Sequence, residues 1–289
     1  MKINLFLVKN LVLASSLAVL VSCGGGTQSA TDTPKKDSTA QSDTKAKVNV
    51  VVKELLAPSE LAAKLELADA DYNETFTNPI ASADNYLTSN TLAALNLGIY
   101  ATDLGYTAVY NKAQNTINYI KIAKKFTDKL GISGSFDAAL VEKFEKNINN
   151  KDSTVSIIDK AMLNADKYLR DNQRSNIAAT VLAGSFIEGL YISSSSVTTA
   201  PEKAKTGIFN DLYKTIIDQR QTLKDVIISL ESVERDEKAN EILAGLKAIE
   251  TEYKTLDLEG KIANKKSITD ADILPLQKKT AEVRNKIIK

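Results

Sequence analysis

The 289-residue chain has no histidine, no tryptophan and a single cysteine, Cys23. Each absence removes a class of chemistry. Without imidazole there is no His base, no His metal ligand and no Ser-His-Asp triad. One cysteine excludes disulfides within the chain and thiolate zinc sites, and its place near the N-terminus excludes a thiol nucleophile in the core. Lack of tryptophan weakens the case for sugar-stacking platforms. Catalysis would have to draw on carboxylates, lysine, tyrosine or a hydroxyl. The inventory therefore leans away from an enzyme and predicts neither a cofactor nor a bound metal. Charge of one sign is scarce too. There are 37 basic and 36 acidic residues, and removing Lys2 and Lys9 with the leader described next leaves 35 against 36. Such a balance offers no electrostatic footprint for nucleic acid.

What is present begins with an address. Residues 1–22 carry Lys2 and Lys9 ahead of a short apolar run, Leu11–Val21, which is the layout of a secretory signal. A transmembrane helix needs about 20 apolar residues, and Lys9-Asn10 interrupts this run too early. Leu20-Val21-Ser22-Cys23 resembles the bacterial lipobox, which implies cleavage before Cys23 and acylation of its thiol. A single acyl chain anchors marginally, whereas the two or three chains of such lipoproteins anchor stably. Residues 24–47, "GGGTQSATDTPKKDSTAQSDTKAK", contain no large apolar side chain and cannot offset the entropy of ordering. Residues 23–47 are therefore expected to be a lipidated cysteine and flexible tether, with ends roughly 25–30 Å apart. In Bacteroidota-type lipoproteins, acidic residues directly after the cysteine mark export to the cell surface. Here the first acid is Asp32, so that resemblance leads us to expect an outer-membrane lipoprotein whose domain faces the periplasm, with exposure at the cell surface as the alternative.

Residues 48–289 are expected to form one all-α domain of about eight to ten helices, an irregular bundle around two buried apolar helices. Val48–Val52 reads as an extended segment without a partner strand. Pro58 opens the first helix, where a first-turn proline is tolerated. Asn78-Pro79 is a breaker before a short helix near Ala83–Leu87. One all-round apolar helix spans about Leu92–Tyr110, and a second spans Asn176–Ile192 and stops at the serine loop Ser193–Ser196. Between them, Ile117, Ile120, Phe126 and Leu130 point inward on a helix stopped by Gly131. Ile158, Ala161, Ala165 and Tyr168 form the stripe of another. Beyond Pro201, Phe209, Ile216, Leu223 and Leu230 recur every seven residues. With Ile242, Leu246, Ile249, Tyr253 and Leu256 opposite, they predict a long antiparallel hairpin turning near Arg235–Lys238. The last helix is expected from about Asp272, with Pro275 in its first turn.

Two positions stand out against this apolar background. Asp103 lies on a stripe with Asn96, Tyr100, Thr107 and Tyr110, and Glu188 aligns with Thr180, Gly184 and Tyr191 on the second apolar helix. Gly98 and Gly105, seven apart, would admit a neighbouring backbone. One reading sets Asp103 and Glu188 across a cavity lined by Tyr100, Tyr110 and Tyr191, suited to acid-base chemistry or to a cationic ligand. The other pairs each carboxylate with a cation from a neighbouring helix, Arg170 and Arg174 being candidates. The tyrosines at 100, 106 and 110 also read as ordinary core. "GISGS", Gly131–Ser135, lacks the spacing and following lysine of a phosphate loop.

Two stretches, "LNLGIYATDLGYTAVYNKAQNTINYIKIAKKFTDKLGI" and "AGSFIEGLYI", resemble an uncharacterised group of helical lipoproteins from Bacteroidota, over about Pro58 to Ile192. That group carries no assigned activity, so the resemblance implies location and fold alone. Three functions remain in view. The first is a non-enzymatic, lipid-anchored envelope module that binds a protein or an envelope component. The second is a small-molecule binder with its pocket near Asp103 and Glu188. The third is a carboxylate-based hydrolase of cell-wall or glycan substrates.

Overall fold

The computed structural model describes residues 58–135, 138–200, 209–264 and 267–289. Cys23, the tether and Val48–Val52 lie outside these residues. Regular structure among them is helical, with no strand. The α-helices are α1 (Pro58–Leu67), α2 (Asn90–Val109), α3 (Ala113–Lys129), α4 (Ala138–Asn147), α5 (Lys151–Asp171), α6 (Ser175–Thr199), α7 (Phe209–Glu231), α8 (Glu237–Leu256), α9 (Leu258–Ala263) and α10 (Asp270–Ile288). A strap, residues 68–79, irregular apart from one 3-10 turn at Glu74–Phe76, joins α1 to a longer 3-10 segment, Ile80–Leu87. The expectation of an all-α bundle with two apolar helices at its centre is met.

Helices α2 and α6 form that centre. Every residue of α2 from Ala93 to Val109 is buried. The pair touches backbone to backbone because two residues there have no side chain. A Cβ on Gly98 would stand 2.1 Å from the Val181 carbonyl oxygen, and one on Gly184 would stand 2.1 Å from that of Leu95. Hydroxyls then knit the crossing: Thr102 Oγ1 and Ser185 Oγ both donate to the Gly98 carbonyl, at 3.0 and 3.2 Å. Around this pair, α1, α3 and α5 cover α2, while α7 and α10 cover α6. By length and composition α6 could cross a membrane, but 83% of its most apolar window is buried inside the protein.

The hairpin of α7 and α8 packs as its heptads require. Ile216, Leu223, Val226 and Leu230 are buried against Ile242, Leu246, Ile249 and Tyr253. Arg235 closes the turn by donating from Nη1 to the carbonyls of Leu230, Glu231 and Val233 at 2.7–2.8 Å. That satisfies acceptors the end of α7 leaves open. Asp236 caps α8 by accepting from the Ala239 amide at 2.9 Å.

Three local expectations are corrected. Ser193–Ser196 is not a loop but buried helix, since α6 runs on to Thr199. The hydroxyls of Ser193, Ser194 and Ser196 return to carbonyls four residues back, at 2.5–2.9 Å. That internal satisfaction lets a serine run sit in a core. On α5, Leu169 is buried and Tyr168 is 38% exposed, so the apolar stripe ends one residue later than its spacing suggested. Finally, α10 starts at Asp270 behind a Thr269–Asp272 capping box, which puts Pro275 inside the helix, beyond its first turn. Gly131 does stop α3's chain direction, at φ +65°, in the left-handed region that glycine enters without strain.

Candidate functional site

Asp103 and Glu188 meet in the interior, both with no exposed surface. The α2–α6 glycine crossing sets their helices close, and the strap enters between them with Asn78, itself 1% exposed. Asn78 holds both acids. Its backbone amide donates to Asp103 Oδ2 at 3.0 Å, and its side-chain Nδ2 donates to the same oxygen at 3.1 Å and to Glu188 Oε1 at 3.3 Å. Two acceptors on one nitrogen fix which way the carboxamide points.

The cation comes from the far end of the chain. Arg284 on α10 is 7% exposed and grips Glu188 with two bonds, Nε to Oε2 at 2.6 Å and Nη2 to Oε1 at 2.8 Å. Nη2 also donates to the Phe76 carbonyl of the strap at 3.1 Å. The guanidinium lies 4.3 Å from the ring centre of Tyr191, a cation–π contact. Burial disfavours the Arg284 charge, but the Glu188 carboxylate beside it more than compensates and raises its pKa. The two-point fork is the geometry that makes a buried ion pair tolerable.

Asp103 has no such cation. Burial and then the neighbouring Glu188 charge push its carboxyl well above the usual range, against the pull of Arg284 and the Asn78 donors. Its Oδ1 has no hydrogen-bond partner, and neither has Asn78 Oδ1.

Tyrosines tie the rest of the strap to the core. Tyr119 on α3 donates to the Asn78 carbonyl at 2.7 Å, and Tyr100 donates to the Pro79 carbonyl at 2.8 Å. The Asn73 amide donates to the Tyr106 hydroxyl at 3.0 Å. Burial raises the pKa of Tyr100 and Tyr119 and lifts that of Tyr106 to about 12. They remain neutral donors or acceptors at any ordinary pH.

Of the residues singled out from sequence, Asp103, Glu188, Tyr100 and Tyr191 do come together. Tyr110 does not join them. It stacks edge-on with Tyr106 at 5.0 Å and donates to the Ala70 carbonyl at 2.7 Å, near the other end of the strap. The proposed cations are corrected as well. Arg170 is spent on Asp166 four residues away, through two bonds of 2.7 Å, and Arg174 reaches the Gly131 carbonyl at 3.5 Å. Asn78, Tyr119 and Arg284 were missed. Arg284 left a trace in the sequence, since it falls on the inward stripe of Ile273, Leu276, Thr280 and Ile287, where a solvated arginine would not sit.

A second, open feature adjoins the strap. Tyr72, Asn73 and Glu74 face Lys112, Ala113, Gln114 and Asn115 at the start of α3 across a cleft of about 560 Å³. Asn115 Nδ2 bridges the Tyr72 hydroxyl and Glu74 Oε1, both at 3.3 Å. Lys112 Nζ rests 4.8 Å from the Tyr72 ring centre, and that ring stacks on Tyr106. Among the described residues, no three of His, Cys, Asp and Glu gather as a metal site. No protein-family model matches the chain, and no curated protein or solved structure matches it.

Proposed function

We propose that the chain is a lipid-anchored envelope module, non-enzymatic, whose helical domain binds a protein or an envelope component. The observation that carries this reading is the Glu188–Arg284 fork with Asn78 across it. The two carboxylates best placed for chemistry are sealed from solvent and engaged by the protein's own groups, which makes them architecture. This argues against a ligand pocket at Asp103 and Glu188 and against a carboxylate hydrolase built on them. Recognition then falls to the surface, and the cleft between Tyr72–Glu74 and Lys112–Asn115 offers a concave face with donors, acceptors and an aromatic edge. The anchor is read from Leu20-Val21-Ser22-Cys23, and the lack of acidic residues between Cys23 and Asp32 supports a domain that faces the periplasm from the outer membrane over one exposed at the cell surface.

The test has two arms. Cells given labelled fatty acid should label the wild-type chain and not Cys23→Ala, and only the wild type should pellet with membranes. A photo-crosslinking residue at Gln114 should trap one recurrent envelope partner in intact cells, whereas the same residue at exposed Lys247 should not. An unlabelled, soluble wild type removes the anchor. Equal adducts from both positions remove the cleft as the binding face.

A further inference from the structure

We infer that Asp103 carries a proton in the folded protein at neutral pH, and that this single proton latches the strap, through residues 72–79 of its length, onto the α2–α6 core. The argument is one of charge and of donors. Asp103, Glu188 and Arg284 are enclosed together, and two carboxylates share one guanidinium. Arg284 spends its fork on Glu188 and a further bond on the Phe76 carbonyl. If both acids were ionised the clasp would hold a net negative charge out of reach of water, which proteins avoid by neutralising the group.

Donors lead to the same place. Asp103 Oδ2 accepts two N–H bonds from Asn78, but Asp103 Oδ1 and Asn78 Oδ1 are both buried acceptors without partners. A fully ionised clasp therefore leaves two orphans, each costly. A proton on Oδ1 turns one of those acceptors into a donor, which is the species the clasp lacks. The groups that face Asp103 from each neighbouring element agree with this. They are Glu188 from α6, Arg284 from α10, Tyr119 from α3, Tyr72 from the strap, and Tyr100 and Tyr106 from its own helix. Arg284 is the one cation among them, and the tyrosines stay neutral.

The consequence lies in what the strap touches. Asn78 is held by Asp103, and five residues earlier the same strap supplies Tyr72, Asn73 and Glu74 to the cleft wall. Loss of the proton puts a second negative charge beside Glu188 and removes the donor from Oδ1. The Asn78 N–H groups hold a carboxylate more firmly than a neutral acid, but burial and the Glu188 charge outweigh them, so alkaline pH favours release of the strap and loosens the cleft wall. The sign follows from linkage. The closed state binds the proton more tightly than the state with the strap released, in which water reaches Asp103 on α2 and brings its pKa toward the ordinary carboxylate range. Latching is thus complete below the ordinary range and is lost as pH rises toward the raised value. That the cleft is the recognition face rests on the proposed function; the proton latch does not.

Hydrogen exchange on the full chain reads the latch directly. After correction for the intrinsic rate, protection of the strap amides, Asn78 above all, should fall about tenfold per pH unit from pH 4 upward and continue to fall through neutrality. Asp103→Asn imitates the protonated acid and should hold protection constant over the same range. A wild type with pH-independent protection overturns the proposal, as does an Asp103→Asn variant that keeps the wild-type slope. If Asp103→Asn does not fold, infrared difference spectra of wild type carrying isotope-labelled aspartate decide. A protonated-carboxyl C=O band at pH 7 that disappears at alkaline pH supports the latch, and its absence at pH 7 refutes it. Crosslinking at Gln114 plays no part in these readouts, so either idea can fail alone.

Discussion

Cutting Arg284 back to methionine removes a charge but not much volume, and so asks what the buried fork contributes. In the wild type, Glu188 has no exposed surface and receives bonds at 2.6 and 2.8 Å from Arg284, with only a 3.3 Å bond from Asn78 besides. Arg284→Met leaves that carboxylate nearly alone in the interior, and strips the Phe76 carbonyl and the Tyr191 ring of their shared partner. Breaking a buried pair from one side costs about 3–5 kcal/mol. For a domain of this size that corresponds to a fall in Tm of roughly 6–20 °C. Glu188→Leu should cost a similar amount by stranding the guanidinium. The double variant, Glu188→Leu with Arg284→Met, removes both ions and should be no worse than either single one, because apolar replacement of a whole buried pair is often neutral or stabilising. Thermal and urea melts of the four proteins complete the cycle. Two results refute the reasoning: single losses below about 1 kcal/mol, which would mean that water reaches the pair, or losses that add in the double variant.

Three more outcomes follow from particular contacts. Gly184→Ala drives a Cβ to 2.1 Å from the Leu95 carbonyl oxygen, so α2 and α6 must part, at a cost of about 3 kcal/mol or more. Gly189→Ala on the same helix meets only the Leu61 side chain at 3.4 Å and should be neutral, or stabilising by up to about 1 kcal/mol through helix propensity; denaturant melts compare the two. Tyr119→Phe removes the 2.7 Å bond to the Asn78 carbonyl and should cost about 1–3 kcal/mol, as expected for a buried acceptor left unpaired. Its loss should appear first as faster exchange of strap amides, before any change in the α7–α8 hairpin.

Period and punctuation made most of the fold legible. All-round apolar character put α2 and α6 inside, and a strict seven-residue repeat identified α7 and α8, because both signals survive without knowledge of partners. Where prediction slipped, the reason was satisfaction of polar groups at a distance or by the helix itself. Serines mark loops when their hydroxyls need water, but Ser193, Ser194 and Ser196 need only the carbonyl one turn back. A stripe judged by spacing favoured Tyr168 over Leu169, since a 3.6-residue period leaves adjacent residues close to one face. The Thr269 capping box moved the start of α10 ahead of a proline that looked like a first-turn marker.

The candidate site was half visible for a related reason. Asp103 and Glu188 stood out because a charge in an apolar helix has no local excuse. Their partners come from 25 residues upstream of Asp103 and 96 downstream of Glu188, and no local pattern joins such distances. Nearby Arg170 and Arg174 were therefore tempting substitutes, though Arg170 is engaged one turn away by Asp166 and Arg174 reaches back to the Gly131 carbonyl.

That separation gives the buried polar groups a physical purpose. Apolar contact alone is tolerant of sliding, and α2 and α6 carry apolar side chains on nearly every face. The glycine crossing fixes how near the two helices come, while the fork fixes which residue of α10 lies over Glu188. Shifting α10 by a single residue would leave two ions unpaired in the interior, a penalty several kcal/mol in size. Asn78 works in the same manner on the strap, since moving it one residue either way would forfeit its bonds to both acids and the bond from Tyr119. Polar atoms thus select one register from several that hydrophobic burial would accept. They also tie the first connecting segment of the domain to its last helix, through Phe76 and Arg284. A perturbation in α10 should consequently be felt at the cleft wall of Tyr72–Glu74, although no residue of α10 lines that cleft.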